Sequence, residues 1–332
     1  MYMPVQKSII AASLLSALAF GQTIYKQVGT YPLPGDGGWD YLTYDTSSNR
    51  IFIAHGTSIL VVDPEGKKLG EVPANGAHGT AIVADKNLGF SSNGKAGTVT
   101  AFDLKTLQPV QEIKVGENPD AIIYDQFSRH VLVMNGRSKE VMAIDPDTKK
   151  VDATILLDGK LEFAAAAPGK AYVNVEDKGE IAVIDTKTWK KAATWKLADC
   201  EEPSGLVMNE NNDTLFTVCG NSKMLVIDAK TGKVISTVKT GDGTDAAGYD
   251  PGTAYAFASN GEGTLTVVKK DGKGYTVAEN VPSAKSARTM TIDPNTHKVF
   301  VVAADFNPPA EGQRRGTMKP GTFRLLVFAL AK

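Results

Sequence analysis

Cysteine is scarce in this chain: its 332 residues include only Cys200 and Cys219. There is no C-x-x-C-H for covalent haem and no Cys-rich spacing for a metal. Also missing are G-x-S-x-G, H-E-x-x-H, a P-loop and a dinucleotide fingerprint, so the common motif-borne hydrolase, metalloprotease and nucleotide chemistries are not signalled. Lysine and arginine form no block or stripe, and the formal charge is −1. Nucleic-acid binding is therefore not expected, because it normally draws on a concentrated positive patch.

Long apolar runs are absent apart from "SIIAASLLSALAF", residues 8–20, which follows Lys7 and leads into Ala19-Phe20-Gly21. Thirteen residues are too short for a comfortable membrane span. With the small-x-small pattern they read as a signal peptide over residues 1–21. The expected mature chain is periplasmic or secreted, without a membrane span. In an oxidising compartment the two cysteines are a disulfide candidate first, with a metal or redox pair or two free thiols as alternatives.

What is abundant is punctuation: 32 Gly and 16 Pro separate short segments rich in Val, Ile, Thr and Tyr. That is turn-punctuated β structure. The run "WDYLTYD", ending at Asp45, recurs as "GTAIVAD" at Asp85, "PDAIIYD" at Asp125, "LEFAAAA" at Ala167, "PSGLVMN" at Asn209, "TDAAGYD" at Asp250 and "ARTMTID" at Asp293. The spacing is 40 to 43 residues, which makes seven copies of one unit. Each unit continues with a polar turn, a second strand such as "HVLVMNG", a third that ends in Asp in five units ("VMAID", "IAVID"), and a fourth such as "KVISTVKTG". Four short antiparallel strands per unit make a β-propeller blade.

The expected fold is all-β, a single seven-bladed propeller over residues 22–332. The last unit stops at its third strand, "FRLLVFALAK". Residues 24–34, "IYKQVGTYPLP", match the fourth strands, so the N-terminal strand is expected to complete the last blade and close the ring.

Tyr172, Val173 and Asn174 in "YVNVEDKGEIAVID" and the "VIDTKT" turn resemble the YVTN-repeat β-propeller family. The strings "GWDYLTYD", "NPDAIIYD", "CEEPSGLVM" and "PGTFRLLVF" are similar to its exported bacterial, YncE-like subgroup. The resemblance implies the fold along residues 24–330 and leaves function open, since propellers host many activities. Ala167 departs from the usual acid of the fourth unit, and the sixth unit lacks the Asp that closes strand three.

Strand one begins and strand two ends at the same end of the ring, the channel mouth, where a rigid scaffold would carry functional loops. Counting five residues back from each repeat end gives Asp40, Thr80, Asp120, Glu162, Ser204, Asp245 and Arg288, with His78 and Glu202 two residues earlier. Asp40, Asp120, Glu162 and Asp245 are candidates for a hard cation such as Ca²⁺. The competing reading is a solvated rim in which Arg288 neutralises a neighbour. Strand-two exits add His55, Asn93, Asn135, Glu176, Asp177, Asn221, Asn260 and Asp305. Asn93, Asn135 and Asn260 precede Gly, which is ordinary turn usage. His55 and His78 would place two imidazoles on adjacent blades. Cys200 precedes strand one and Cys219 ends strand two of the fifth blade.

Residues 305–322 insert a long loop on the same face. There Arg314 and Arg315 would bring positive charge to the acidic rim. The expected function is binding of a small ligand, cation or protein partner at the mouth by a monomer. The alternative is a metal-assisted hydrolase, lactonase or lyase in which His78 or His55 is the general acid or base.

Overall fold

The computed structural model describes residues 23–309, 312 and 316–331. The signal segment 1–21 and Arg314 and Arg315 lie outside the described residues. Seven four-stranded antiparallel sheets form the blades. Their innermost strands contact one another in sequence and the seventh returns to the first, which closes the ring.

Within a blade, burial follows position. Second strands such as Arg50–His55 and Thr214–Cys219 are buried at every residue but Arg50, because neighbouring blades cover both faces. They therefore read as continuous apolar runs rather than alternating ones. Fourth strands such as Lys150–Leu156 have one dry side only, and their burial alternates. Asp103, Asp145, Asp185 and Asp228 end third strands and accept backbone N–H bonds from two and three residues ahead. These bonds, and at Asp228 first of all the bond donated by the Thr231 hydroxyl, hold their carboxyls below the usual carboxylate range. Ala167 needs no such acid, because it pairs directly with Lys170 across a tight Pro168-Gly169 turn in which Gly169 has φ +74°.

The last blade is completed by Tyr25–Pro32, which pairs with Arg324–Leu330 from Tyr25↔Leu330 to Pro32↔Arg324. Glu279 accepts the N–H groups of Ile24 and Tyr25 at 2.8 and 2.9 Å. The base of the 305–322 insertion is pinned by the Phe306↔Met318 bridge, and it lies over the N-terminal turn through Gly321 N–H to Asp36 at 3.1 Å.

Cys200 and Cys219 form a disulfide with Cα atoms 5.3 Å apart. It closes a loop of 19 residues, and such closure restricts the unfolded chain by about 3 kcal/mol. The Cys200→Ala/Cys219→Ala variant is expected to lose that amount in urea unfolding, with an m-value equal to or slightly above the parent's because its unfolded chain is less restricted. Equal midpoints with and without the bond would show that it adds nothing to stability.

Candidate ligand basin at the channel mouth

In blades one to six the pairing of strands one and two slips by one residue at the same point. Examples are Trp39↔His55 giving way to Leu42↔Ile53, and Pro119↔Asn135 giving way to Ile122↔Val133. A bulge of this kind bends the strand and re-aims a side chain. The residue it re-aims is Asp40, His78, Asp120, Glu162, Ser204 or Asp245, and Arg288 takes the matching place in the last blade.

The second blade corrects the sequence reading. There Val83↔Leu88 occupies the place of Asp45↔Arg50, so the strand ends at Val83 and the ring residue is His78, not Thr80. The misleading acid, Asp85, lies two residues on, inside the turn Ala84–Lys86. Thr80 is buried along the strand, with its backbone oxygen accepting from Thr43 Oγ1 at 2.7 Å.

The ring residues meet. His78 Nδ1 lies 2.6 Å from Asp40 Oδ2 and 3.6 Å from Asp120 Oδ1. One ligand atom from each of the three falls within 4.8 Å of the others. Lys160 Nζ reaches Glu162 at 2.9 Å and also pairs with Glu176. Arg288 is ion-paired with Asp245 and points a second nitrogen at Trp39 O, 3.5 Å away.

Beneath the ring, Tyr41 of blade one crosses to blade four. Its hydroxyl donates to Glu162 Oε2 at 3.1 Å, and its ring lies 4.9 Å from that of Phe163. The residue after the ring position is Tyr41, Gly79, Ala121, Phe163, Gly205, Ala246 or Thr289 around the circle. The two aromatics stand across the axis and the small residues make room for them, so the basin has a floor. That alternation of large and small residues is present in the sequence, but the role of Tyr41, like that of Lys160 beside Glu162, emerges only from the contacts across the ring.

No family model matches the chain. The YncE proteins of Salmonella typhi and Salmonella typhimurium are 24% and 23% identical to it over 321 residues, with 89% of each chain covered. Neither has an assigned activity. The chain is a seven-bladed propeller similar in sequence to the YncE proteins. Among solved structures, Kuenenia stuttgartiensis hydrazine synthase superposes with a TM-score of 0.72 at 16% identity, over 81% of this chain and 93% of that one. The RRP9 WD40 repeats superpose at 0.75 and 10% identity, over 93% and 99%. At such identities the likeness concerns the fold alone.

Charge crowding in the basin moves its titrations. Burial, with the Asp40 charge behind it, pushes Asp120 up to about 6. Burial and then the Asp120 charge push Glu162 up to about 8, against the pull of Lys160. Burial disfavours the His78 imidazolium, but the Asp40 hydrogen bond and the Asp120 charge outweigh it and raise the pKa. Burial also opposes the charge on Arg288, which Asp245 and Asp40 more than restore.

The remaining candidates lie elsewhere. His55 stacks on Phe323 at 4.7 Å, and a Cβ on Gly35 would be 2.7 Å from its ring. The two imidazoles are therefore not brought together. Burial lowers the pKa of His55. Asn93 and Asn260 do more than turn, because each donates to two third-strand threonines, Thr98 and Thr100 or Thr264 and Thr266. Blade three has Glu140 and Met142 in those places, and both amide atoms of buried Asn135 are without a partner.

Proposed function

We propose that this YncE-like propeller is an exported binding protein whose mouth basin takes a divalent transition-series cation through Asp40, His78 and Asp120. The observation that carries this is the convergence of their three ligand atoms within 4.8 Å of one another over the Tyr41 floor. An imidazole among carboxylates favours such a metal over Ca²⁺, which prefers oxygen ligands. Asp245 is engaged by Arg288, and Glu162, at about 8, is mostly protonated at neutral pH. Both therefore stand behind the first three as ligands. Export draws support from the disulfide, since such bonds persist in oxidising compartments. No helix among the described residues is long and apolar enough to cross a membrane.

Titration calorimetry of chelator-treated protein with Zn²⁺ and Mn²⁺ checks the reading. One saturable site is expected, with protons released on binding and affinity rising between about pH 5.5 and 8, because His78 and Asp120 must give up protons to ligate. His78→Ala and Asp120→Asn should each weaken binding roughly tenfold or more. Absence of saturable binding, or affinities unmoved by both variants, would remove the proposal.

A hydrolase or lyase is the second reading. It is favoured by the protonated Glu162 standing near the carboxylate-bound imidazole of His78, a pair of unlike acid–base groups. Turnover of a lactone panel that is abolished in His78→Ala would move the assignment to an enzyme.

A further inference from the structure

We propose that a second chamber, of about 520 Å³ and lined by Trp39, Arg288 and Phe306, binds a small organic anion carrying a flat apolar ring. It adjoins the cation basin but does not depend on a bound cation. Its volume falls within the ~300–1,000 Å³ range of small-molecule sites, too small for a folded partner.

The walls dictate the ligand. Trp39 and Phe306 have ring centroids 6.0 Å apart at 44°, and Pro309 adds apolar surface. Phe306 is a large aromatic left 41% exposed. Its backbone is held by the bridge to Met318 and by Asn307 N–H to Thr317 O at 2.8 Å, so the ring is presented in place rather than free to fold inward. Apolar, pre-positioned surface of this kind favours a flat hydrophobic body.

The polar end of the ligand follows from charge. Among the described residues that line the chamber, Arg288 is the only one ionised at neutral pH, and no carboxylate faces the space. Arg288 spends one nitrogen on Asp245 and aims a second at Trp39 O, and its side chain remains 34% exposed. A guanidinium has five N–H donors, so some remain for a carboxylate or sulfonate. A cationic ligand would meet the Arg288 guanidinium with no carboxylate in the described wall to receive it, and a neutral one would forgo the charge-assisted bond.

Calorimetry with chelator present, using 2-naphthoate, its neutral isostere 2-naphthalenemethanol and the cation 2-naphthylmethylammonium, tests this independently of the metal reading. Naphthoate should bind saturably, the alcohol roughly tenfold or more weakly, and the ammonium not at all. Arg288→Gln should remove the preference for the anion. Phe306→Ala, on an exposed loop where folding is not at stake, should weaken both anion and alcohol. Equal affinity for anion and alcohol in the unsubstituted protein, failure of naphthoate to bind, or a preference that survives Arg288→Gln would each overturn the assignment.

Discussion

Replacing Tyr25 with alanine is expected to lower the unfolding free energy by about 3–5 kcal/mol, read as a fall in the urea midpoint. Along Tyr25–Pro32 most side chains face solvent, and Tyr25 is the one buried residue of the strand. Its ring packs edge-on against Phe257 at 5.1 Å and near Tyr255, and its hydroxyl donates to His297 O at 3.0 Å. The variant thus leaves a cavity between the last two blades and an unpartnered carbonyl, while the ladder to Arg324–Leu330 stays in place. Deleting residues 23–33 goes further, because it exposes the edge of Arg324–Leu330, and an unpaired flat edge invites association between chains. Size-exclusion chromatography should then show oligomers or aggregate where the full chain gives one species. A Tyr25→Ala protein as stable as the parent would mean that the buried Tyr25 ring adds nothing to the closure, and a monomeric, stable deletion of residues 23–33 would mean that closure does not depend on the strand.

Neutralising the basin is expected to stabilise the metal-free protein and abolish the proposed cation binding together. Asp120 and Glu162 ionise at higher pH in the folded basin than in the unfolded chain, at about 6 and about 8. The folded state therefore holds protons that the unfolded state has released. Their contribution to stability is complete below the unfolded carboxyl pKa near ~4 and is lost as pH rises through about 6 and then about 8. His78, also raised, acts in the same direction from its unfolded value near ~6.5 upward. The turn aspartates work the other way, but only below about pH 4, because their pKa values are depressed.

Between about pH 5 and 8 the metal-free protein should accordingly lose stability. Asp120→Asn/Glu162→Gln should flatten that slope and gain about 1–3 kcal/mol at pH 8. Unfolding curves at the two pH values, with and without Zn²⁺, decide it. Zn²⁺ should stabilise the unsubstituted protein, more so at the higher pH, and leave the double variant unmoved. Parallel pH profiles for the two proteins would mean that the carboxyls are already solvated and paired.

A stability gain on removing functional groups is the expected mark of a site that concentrates like charge for binding. The same double substitution would behave differently on a merely solvated rim, where the carboxylates cost nothing and neutralising them changes little.

The sequence by itself determined the blade. Its period, the turn aspartates such as Asp185 and Asp228, the buried second strands and the completion of the last blade by residues 24–34 all rest on local hydrogen bonding, alternation and strand count. Those forces act within a few residues or between neighbouring strands, so they leave a readable pattern.

The basin was only half legible. Asp40, Asp120, Glu162, Asp245 and Arg288 were found by counting, yet blade two was misaligned by two residues because Asp85 resembles a strand-ending acid while lying in a turn. Tertiary structure alone decided that His78 joins Asp40 and Asp120, that His55 instead faces Phe323, and that Tyr41 reaches blade four. The physical reason is that a strand's side chains change face with a single-residue slip. The bulge that aims each ring residue is set by pairing across a blade, and its partners come from repeats about 40 or more residues away along the chain.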